Sequence, residues 1–496
     1  MSKRVTSYGL VAFYLVGILL AGCFPDNSLV WSRDGSWGLL RVKGALFAVD
    51  GKDGKLTPIE PDGGVSAMPG ISADGSQIAY VKSVGRPDLD EAMRLFPPTV
   101  ANMIKRDAEE LAQKVLAGLV WPDSLLQAQH TPSETTFAEP YRQWVVRVMC
   151  EAPGAALAER LGQDVLEACR QLDLGYSQLV VASRANPKRG ITLVTMPANM
   201  YRPRFSPDAR HVAYVMPLPQ DEEQGVLLMA STDGKIDAME VATGVAVGYD
   251  WRPDGKALAY VKRDGDAILG TLEEKIVVDE QGALMKEAVN ADEKDCLANS
   301  KSTGQAKQLA GTLFQPLMHV QYGLDGRMLF SSAAVAIPTT ELEEPKYSVF
   351  CYDRVTGTVT DVLPSVIRNQ ASQNMSFFRL SPDGKHLIVP LQYNHFAIYE
   401  LGSNKAIFPC EGDEGFGMDE MPDFVPSWKG NDKIVCMVSE KGHFLVDSDG
   451  QPRHRKEVVV LGTDGQLREI LSSRWPDEAV PQSMQDEASG GVKMTR

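Results

Sequence analysis

The chain has 496 residues, of which 44% are apolar, and its formal net charge at pH 7 is −15. This length and composition allow one large buried core, so they exclude an intrinsically disordered chain. The acidic balance also argues against a nucleic-acid partner, because a phosphate backbone attracts basic surfaces.

The first 23 residues predict export and lipid anchoring. Two basic residues precede an apolar stretch over 5–20, and the sequence Leu-Ala-Gly-Cys follows at 20–23. This pattern is typical of a signal peptide, here 1–22, and not of a membrane-spanning helix. The ending resembles a bacterial lipobox, which implies acylation of Cys23 and an anchor of two to three acyl chains. Phe24 favours the outer membrane, with the chain facing the periplasm; an ordinary secreted protein is the alternative.

A turn motif recurs seven times along the rest of the chain and defines units 1 to 7. Each copy joins a bulky apolar residue, a tight turn with Asp or Asn, and a short apolar run that predicts a strand. A second hairpin follows in every unit, so each unit is expected to form four strands, A to D. The copies begin at Trp31, Ile71, Phe205, Trp251, Tyr322, Leu380 and Trp428.

Four-stranded units in series predict an all-β fold, a seven-bladed β-propeller over 23–475, with six or eight blades as alternatives. Two β-sandwiches are the competing fold. The chain is expected to begin with strand A of unit 1 and to end with strand D of unit 7. Ring closure would then depend on packing between these units, without a swapped strand. The polar tail, 476–496, is predicted to lack order.

The copies Phe205-Ser-Pro-Asp and Leu380-Ser-Pro-Asp-Gly-Lys, with Trp251-Arg-Pro-Asp-Gly-Lys, resemble the WD40-like repeat of the TolB family of bacterial periplasmic propellers. The resemblance covers about residues 28 to 472, apart from one large insert. It implies a propeller in the cell envelope. Many unrelated functions share this repeat, so the resemblance does not identify a ligand.

Residues 86–176 interrupt unit 2 between its strands B and C. Apolar residues recur there at helical spacing, with further helices predicted over 139–151 and 155–173. The pattern predicts an α-helical insert in blade 2 whose apolar stripes form its own core, packed on the rim of the propeller or over its mouth. The stripe of its longest helix contains Val100, Met103, Ile104, Ala108, Leu111, Val115 and Leu119.

Five long connections, including the insert, are expected on one face of the propeller, because they all join strands B to C or D to the next A. Three of the others are strongly acidic, and we predict that they bind a basic protein surface or divalent cations. Solvated charge that keeps the chain soluble is the alternative. The candidate partner-binding residues are Asp221, Glu222, Glu223, Glu341, Glu343, Glu344, Asp413, Glu414, Asp419, Glu420 and Asp423.

Catalytic motifs are missing from the sequence, which predicts a protein that is not an enzyme and has no cofactor or metal. Neither a Gly-x-Ser-x-Gly elbow nor a His-Glu-x-x-His motif occurs. The alternative is a metal-dependent polysaccharide lyase, since histidines on inner propeller strands can hold a divalent metal. His319 is predicted on an inner strand, whereas His211 and His386 are predicted at the start of strand B.

The predicted function is a membrane-anchored, non-catalytic propeller lipoprotein that acts as a protein–protein interaction scaffold in a bacterial envelope assembly. Its partners would be the membrane, through the acyl chains, and one or more envelope proteins. The second alternative is glycan or peptidoglycan binding by aromatic residues near the channel, namely Tyr201, Tyr249, Phe377 and Phe378. Cys150 and Cys169, both in the insert, are the pair most suited to a disulfide.

Overall fold

The computed structural model describes residues 28–42, 44–61, 63–85, 88–126, 139–172, 174–218, 221–235, 238–263, 270–290, 296–299, 312–336, 346–353, 356, 358–371, 378–391, 395–409, 426–446 and 452–472. Strands dominate these ranges, as the alternation of turns and short apolar runs predicts. No helix within them is long and apolar enough to cross a membrane.

Five of the sheets in the described ranges have four antiparallel strands joined in chain order. Unit 1 forms β1 Ser28–Trp31, β2 Trp37–Val42, β3 Ala45–Asp50 and β4 Leu56–Glu60. Unit 2 forms β5 Gly70–Ile71, β6 Gln77–Gly85, β7 Gly175–Ser183 and β8 Asn186–Met196.

One larger sheet contains units 3 and 4. Its strands are β9 Tyr201–Phe205, β10 His211–Leu218, β11 Asp221–Ser231, β12 Met239–Trp251, β13 Ala257–Arg263, β14 Gly270–Val278, β15 Leu284–Asn290 and β16 Cys296–Asn299. The first part of β12 pairs with β11 and its last part pairs with β13, so one strand ends unit 3 and begins unit 4. Because this sheet is continuous, the count of seven blades stays a prediction.

Each of the last three units forms a separate four-stranded sheet. Unit 5 forms β17 Thr312–Tyr322, β18 Met328–Ala336, β19 Lys346–Asp353 and β20 Thr358–Asp361, followed by the short helix Ser365–Arg368. Unit 6 forms β21 Arg379–Leu380, β22 His386–Pro390, β23 Phe396–Glu400 and β24 Ala406–Ile407. Unit 7 forms β25 Ser427–Lys429, β26 Lys433–Val446, β27 Pro452–Gly462 and β28 Leu467–Ile470.

The first strands of the units contact one another and therefore form the inner ring. Contacts join β25 to β1, β1 to β5, β5 to β9, β9 to β12 and β12 to β17. Hydrogen bonds continue the ring: Leu380 N donates to Gln321 Oε1 at 3.0 Å, and Trp428 Nε1 donates to the Arg379 carbonyl at 3.0 Å. Four-stranded antiparallel sheets arranged around such a ring are a β-propeller, which confirms the predicted fold class.

Packing joins unit 7 to unit 1. Leu29 and Trp31 share a buried apolar cluster with Val435, Val458 and other residues of unit 7. The ammonium of Lys429 lies 4.8 Å from the centre of the Trp31 ring, a cation–π contact across the same seam. In the part of the chain that the structure describes, β1 pairs with β2 and β28 pairs with β27, so this seam contains no exchanged strand.

The helices of the insert lie between β6 and β7, where the sequence places them. They are α1 Leu89–Leu95, α2 Pro98–Leu116, a 3-10 turn Pro122–Leu125, α3 Glu139–Glu151, α4 Ala155–Leu161 and α5 Gln163–Arg170. The expectation of one helix over 155–173 is wrong. Gly162 adopts φ +76°, a left-handed conformation that ends α4 and starts α5 on a new axis.

The insert is fixed to the propeller by its own apolar core. Trp144 is completely buried, its Nε1 donates to the Gly175 carbonyl at 2.7 Å, and its ring meets Phe96 edge-on at 5.0 Å. The stripe of α2 is buried at Val100, Ile104, Ala108 and Val115, in a cluster that continues into units 2 and 3. The insert therefore packs on the sheets of these units.

Candidate functional site

The aspartates in the tight turns between the first two strands of the units accept hydrogen bonds from within the same turn. Four serines donate to the aspartate two residues later, with Oγ to Oδ1 distances of 2.6–2.7 Å. The same carboxylates accept the backbone N–H two residues further on. The serine hydrogen bond is the main reason why the pKa of Asp34 and of Asp74 lies below its ordinary value. These carboxylates therefore stabilise the turns.

A cavity of about 280 Å³ opens among these turns, and we call it the mouth cavity. Its walls include Trp31, Ile71, Gln321, Tyr322 and Leu380, from units 1, 2, 5 and 6. Arg33 also lines it and donates from Nη2 to the Pro382 carbonyl at 3.2 Å. The mouth cavity therefore lies at the turn end of the inner ring.

The insert emerges from the other end. In unit 2, Gln77 pairs with Ser183 next to the turn, whereas Gly85 pairs with Gly175 where the insert leaves and rejoins the sheet. A strand of nine residues separates these two ends by about 30 Å. The mouth cavity and the helical insert are thus on opposite faces.

Three arginines and a histidine lie close together on inner strands, and we call Arg202, Arg204, His319 and Arg379 the arginine cluster. Arg202 and Arg204 are in β9, His319 is in β17 and Arg379 begins β21. The ring of Phe378 contacts the imidazole of His319 edge-on at 4.8 Å, which places His319 next to the start of β21.

Asp250 of β12 connects the cluster to the mouth cavity. Its Oδ1 accepts from Arg204 Nη1 at 2.7 Å, and its Oδ2 accepts from the backbone N–H of Tyr322 at 2.9 Å. Because Tyr322 lines the mouth cavity, this carboxylate connects its wall to the guanidinium of Arg204. The ion pair is partly buried, with side-chain exposures of 26% for Arg204 and 19% for Asp250.

Hydrogen bonds to the backbone hold the strands that carry these cations. Trp251 Nε1 donates to the Arg204 carbonyl at 3.1 Å, and Trp428 Nε1 makes the equivalent bond to Arg379. The hydroxyl of Tyr249 donates to the Ala213 carbonyl at 2.8 Å and also reaches the Arg202 carbonyl. The cluster is therefore built on rigid strands and not on a loop.

Burial and neighbouring positive charges both lower pKa values within the cluster. Burial, followed by the charge of Arg204, lowers the pKa of Arg379 to about 9, and Asp250 opposes this shift. Burial, followed by the charges of Arg379, Arg202 and Arg204, holds the pKa of His319 well below its ordinary value. His319 is therefore neutral at pH 7. Neither of its ring nitrogens has a hydrogen-bond partner in the structure as described.

The histidines of the predicted alternative do not meet. His211 begins β10 and His386 begins β22, as expected, and they lie against Trp251 and Trp428 at ring distances of 6.5 and 6.1 Å. The described residues contain no group of three or more His, Cys, Asp or Glu that could hold a metal. The arginines around His319 would also repel a divalent cation, so these residues do not fit the metal of a lyase.

Two of the four aromatic residues proposed for glycan binding belong to the core. Tyr249 is 1% exposed and Phe378 is completely buried, so neither offers a ring face to a sugar. Tyr201 is only partly buried, and Phe377 lies outside the described residues. An aromatic platform for glycans is therefore not formed by Tyr249 and Phe378.

The acidic candidates are not tested by the described structure. Strand β11 begins with Asp221, Glu222 and Glu223. The remaining acidic residues, Glu341, Glu343, Glu344, Asp413, Glu414, Asp419, Glu420 and Asp423, lie outside the described ranges, as does Cys23. Partner binding and lipidation at these positions stay predictions.

An exposed apolar tip on the insert was missed by the sequence analysis. Leu116, Leu119 and Trp121 are 47%, 76% and 69% exposed, and we call these three residues the apolar tip. The helical stripe predicts Leu119 in the core, but α2 ends at Leu116 and Gly118 reverses the chain at φ +72°. The glycine shortly after a helical stripe is the signal that could have indicated this end.

The antiparallel sheets around an inner ring that carries charged residues make the described part of the chain a β-propeller. No protein-family model and no curated protein sequence matches the chain. Similar solved structures include TolB from Acinetobacter baumannii, at 16% identity over 59% of this chain and 58% of that one, with a TM-score of 0.34.

Other solved structures are similar over more of the chain. Hydrazine synthase from Kuenenia stuttgartiensis matches at 12% identity over 76% of this chain and 77% of that one, with a TM-score of 0.41. Oligogalacturonate lyase from Vibrio parahaemolyticus matches at 12% identity over 75% of each chain, also with a TM-score of 0.41. These likenesses concern the fold alone.

Proposed function

We propose that this chain is a membrane-anchored, non-catalytic β-propeller lipoprotein that serves as a protein–protein interaction scaffold in a bacterial cell envelope. The observation that carries the proposal is the apolar tip of the helical insert. A solvent-exposed Trp beside two exposed Leu is a composition that supports a protein-binding surface, because burial of aromatic and apolar anchors dominates interface energies.

Hydrogen bonds hold the backbone of the apolar tip in place before a partner binds. Gly118 N donates to the Val115 carbonyl at 3.0 Å, and Leu119 N donates to the Lys114 carbonyl at 2.9 Å. The carbonyl of Trp121 accepts from both the backbone N–H and the hydroxyl of Ser124, at 3.0 and 2.7 Å. Binding therefore costs little ordering entropy, which strengthens the case for a docking surface.

The lipid anchor is part of the same proposal. Acyl chains on Cys23 would confine the propeller to a membrane and raise its effective concentration toward partners in that membrane. The outer membrane, with the propeller on its periplasmic side, is the location that Phe24 favours. The insert and the acidic connections would then form one broad binding face.

Partner recovery from native membranes tests the scaffold role. A C-terminally tagged chain would be extracted in mild detergent, and the proteins recovered with it would be identified by mass spectrometry. The double variant Leu119→Ala with Trp121→Ala should lose a stoichiometric partner by at least about tenfold, as expected for removal of interface anchors. The control is Leu467→Ala, an exposed leucine on β28 with 40% exposure.

Three other outcomes are informative. Equal recovery of the partner by the double variant and by wild type contradicts a role for the apolar tip. Charge reversal at Asp413, Glu414, Asp419 and Glu420 with unchanged recovery removes the acidic connections from the binding face. A purified chain that keeps residues 1–22, or that lacks acyl mass on Cys23, contradicts the lipid anchor.

A further inference from the structure

Arg33 places a guanidinium group at the edge of the mouth cavity. Its Nη2 donates to the carbonyl of Pro382, and both residues line the cavity. Arg33 belongs to unit 1 and Pro382 to unit 6, so this bond joins two units that are not neighbours in the ring. Among the described residues, this carbonyl is the partner that the structure gives the guanidinium. A guanidinium carries five N–H groups, so most of them are available to a ligand.

Gln321 supplies a second donor in the wall of the mouth cavity. Its Oε1 accepts a hydrogen bond from the backbone N–H of Leu380 at 3.0 Å. Because a backbone N–H only donates, this bond identifies the oxygen of the amide and leaves the Nε2 amino group at its other end. The described residues provide no acceptor for Nε2. The amide is therefore held in one orientation and keeps a donor for a ligand.

The other polar side chains of the wall already have partners. The hydroxyls of Ser72 and Ser381 donate to their turn aspartates at 2.6 and 2.7 Å, and both accept from backbone N–H groups. The hydroxyl of Tyr322 donates to the buried carboxylate of Glu274. The side chains with spare hydrogen-bonding capacity are therefore donors, which suit a ligand that presents acceptor oxygens.

Much of the remaining wall is apolar. Trp31, Ile71 and Leu380 belong to three different units, and Leu324 and Pro382 extend the same surface. Leu324 is 54% exposed, so a ligand could remove apolar surface from water there. A cavity of about 280 Å³ is near the lower limit for small-molecule sites, so it suits a ligand about as large as one amino acid.

Carboxylates around the cavity limit the charge of the ligand. Asp34, Asp74 and Asp383 each directly follow a residue that lines the wall. Aspartates are ionised at pH 7, so they repel negative charge nearby. One negative charge can be neutralised by Arg33, whereas a second would face these carboxylates without a cation of its own. The cavity therefore favours a monoanion over a dianion.

We propose that the mouth cavity binds a small monocarboxylate that carries a compact apolar group, either the C-terminal residue of a peptide or a free branched acid. Arg33 binds the carboxylate through charge-assisted hydrogen bonds, and Gln321 Nε2 donates to an acceptor oxygen of the ligand. The apolar wall buries the branched group. The site lies on the face opposite the apolar tip, so it does not depend on the proposed docking surface.

Ligand-observed NMR titration of the purified full chain at constant ionic strength tests the proposal. The probes are N-acetyl-leucine and isocaproate, which share a carboxylate and a branched apolar group. Wild type should bind at least one of them saturably, with a Kd of about 1 mM for ligands of this size. N-acetyl-leucinamide lacks the charge and acetate lacks the apolar group, so each should bind at least about tenfold more weakly.

Matched variants assign the binding to Arg33. Arg33→Gln should weaken binding of the carboxylate by roughly tenfold or more, and Arg33→Lys should retain part of the affinity. Arg210→Gln removes the same charge from an exposed position in the equivalent turn of unit 3, outside the cavity wall, and should bind like wild type. Thermal melting followed by circular dichroism checks that each variant is folded. The comparison of probes uses wild type alone and needs no variant.

The preferred probe also identifies the source of the carboxylate. Tighter binding of N-acetyl-leucine indicates the C-terminus of a peptide, and equal or tighter binding of isocaproate indicates a free acid; either supports the proposal. Absence of saturable binding by wild type, or equal affinity for N-acetyl-leucinamide or acetate, would overturn it. So would an Arg33→Gln variant that is folded and binds like wild type, or an equal loss in Arg210→Gln. None of these results depends on the recovery of a protein partner.

Discussion

The core of the helical insert and the arginine cluster bring together opposite kinds of side chain, apolar groups in the insert and like charges in the cluster. The insert buries Trp144, Val115 and Ile104 against one another, and the polar indole nitrogen of Trp144 has its acceptor. The cluster instead brings three guanidinium groups close to a neutral imidazole, and Asp250 forms an ion pair with Arg204. Burial of apolar groups stabilises the fold, whereas burial of like charges costs stability.

The largest effect is expected in the insert core. Trp144→Ala should lower the free energy of unfolding by about 3–5 kcal/mol, because it removes a fully buried indole and leaves a cavity. Urea unfolding followed by tryptophan fluorescence and circular dichroism measures the change. The control Trp121→Ala removes an indole that is 69% exposed and should change stability by no more than about 0.5 kcal/mol. Similar losses in both variants would contradict the assignment of Trp144 to the core.

The second prediction concerns the thiols of the same core. Cys150 on α3 and Cys169 on α5 are buried and free, and a hydrogen bond between the two thiols, together with burial, raises the pKa of Cys150. Two-electron oxidation by glutathione disulfide should join the sulfurs, transfer both hydrogens to glutathione, and stabilise the chain by about 3 kcal/mol for a loop of this length. Intact mass after alkylation under denaturing conditions measures it, with Cys150→Ser as the control. Equal numbers of alkylated thiols in the oxidised and reduced samples would contradict the pairing.

The arginine cluster should make stability depend on pH in a range where the insert core does not. Burial and the charges of Arg379, Arg202 and Arg204 lower the pKa of His319 in the folded chain, so the unfolded chain binds a proton that the folded chain does not. Stability should therefore fall as pH drops below about 6.5, by up to about 1.4 kcal/mol per pH unit.

His319→Gln isolates this contribution. Unfolding free energies of wild type and variant at pH 7, 6 and 5 should diverge, with the shallower slope in the variant. His211, whose pKa burial also lowers, contributes equally to both proteins and cancels in the difference. The turn aspartates Asp34 and Asp74 have lowered pKa values, so their stabilisation is lost only below about pH 4. Parallel slopes would show that His319 does not titrate on unfolding.

The smallest change in stability is expected when one arginine of the cluster loses its charge. Arg379→Gln should leave stability unchanged or raise it by about 1 kcal/mol or less, because it removes a charge that burial and the neighbouring Arg204 both disfavour. Thermal and urea unfolding measure the difference against the control Arg189→Gln, which removes the same charge from an exposed position on the outer strand β8. If only Arg379→Gln loses stability, the arginine contributes to stability as the insert core does, and the expected difference between the two regions is wrong.

The positions of strands and of the insert could be predicted from local sequence. The turn residues act within four positions, so each Asp-Gly copy predicts a hairpin by itself, and the structure forms Ser206–Asp208 and Ser381–Asp383 hydrogen bonds there. The end of α2 and the break at Gly162 were not predicted, because helical periodicity does not show where a glycine takes a positive φ.

The sequence by itself determined the repeat, the four-stranded units and the place of the helical insert, because turn chemistry and apolar periodicity act over a few residues. The tertiary structure decided which side chains meet. Arg202 and Arg379 are 177 positions apart, and only closure of the inner ring brings β9, β17 and β21 together around His319. A charge cluster depends on distances through space, and no local pattern in one chain records those distances.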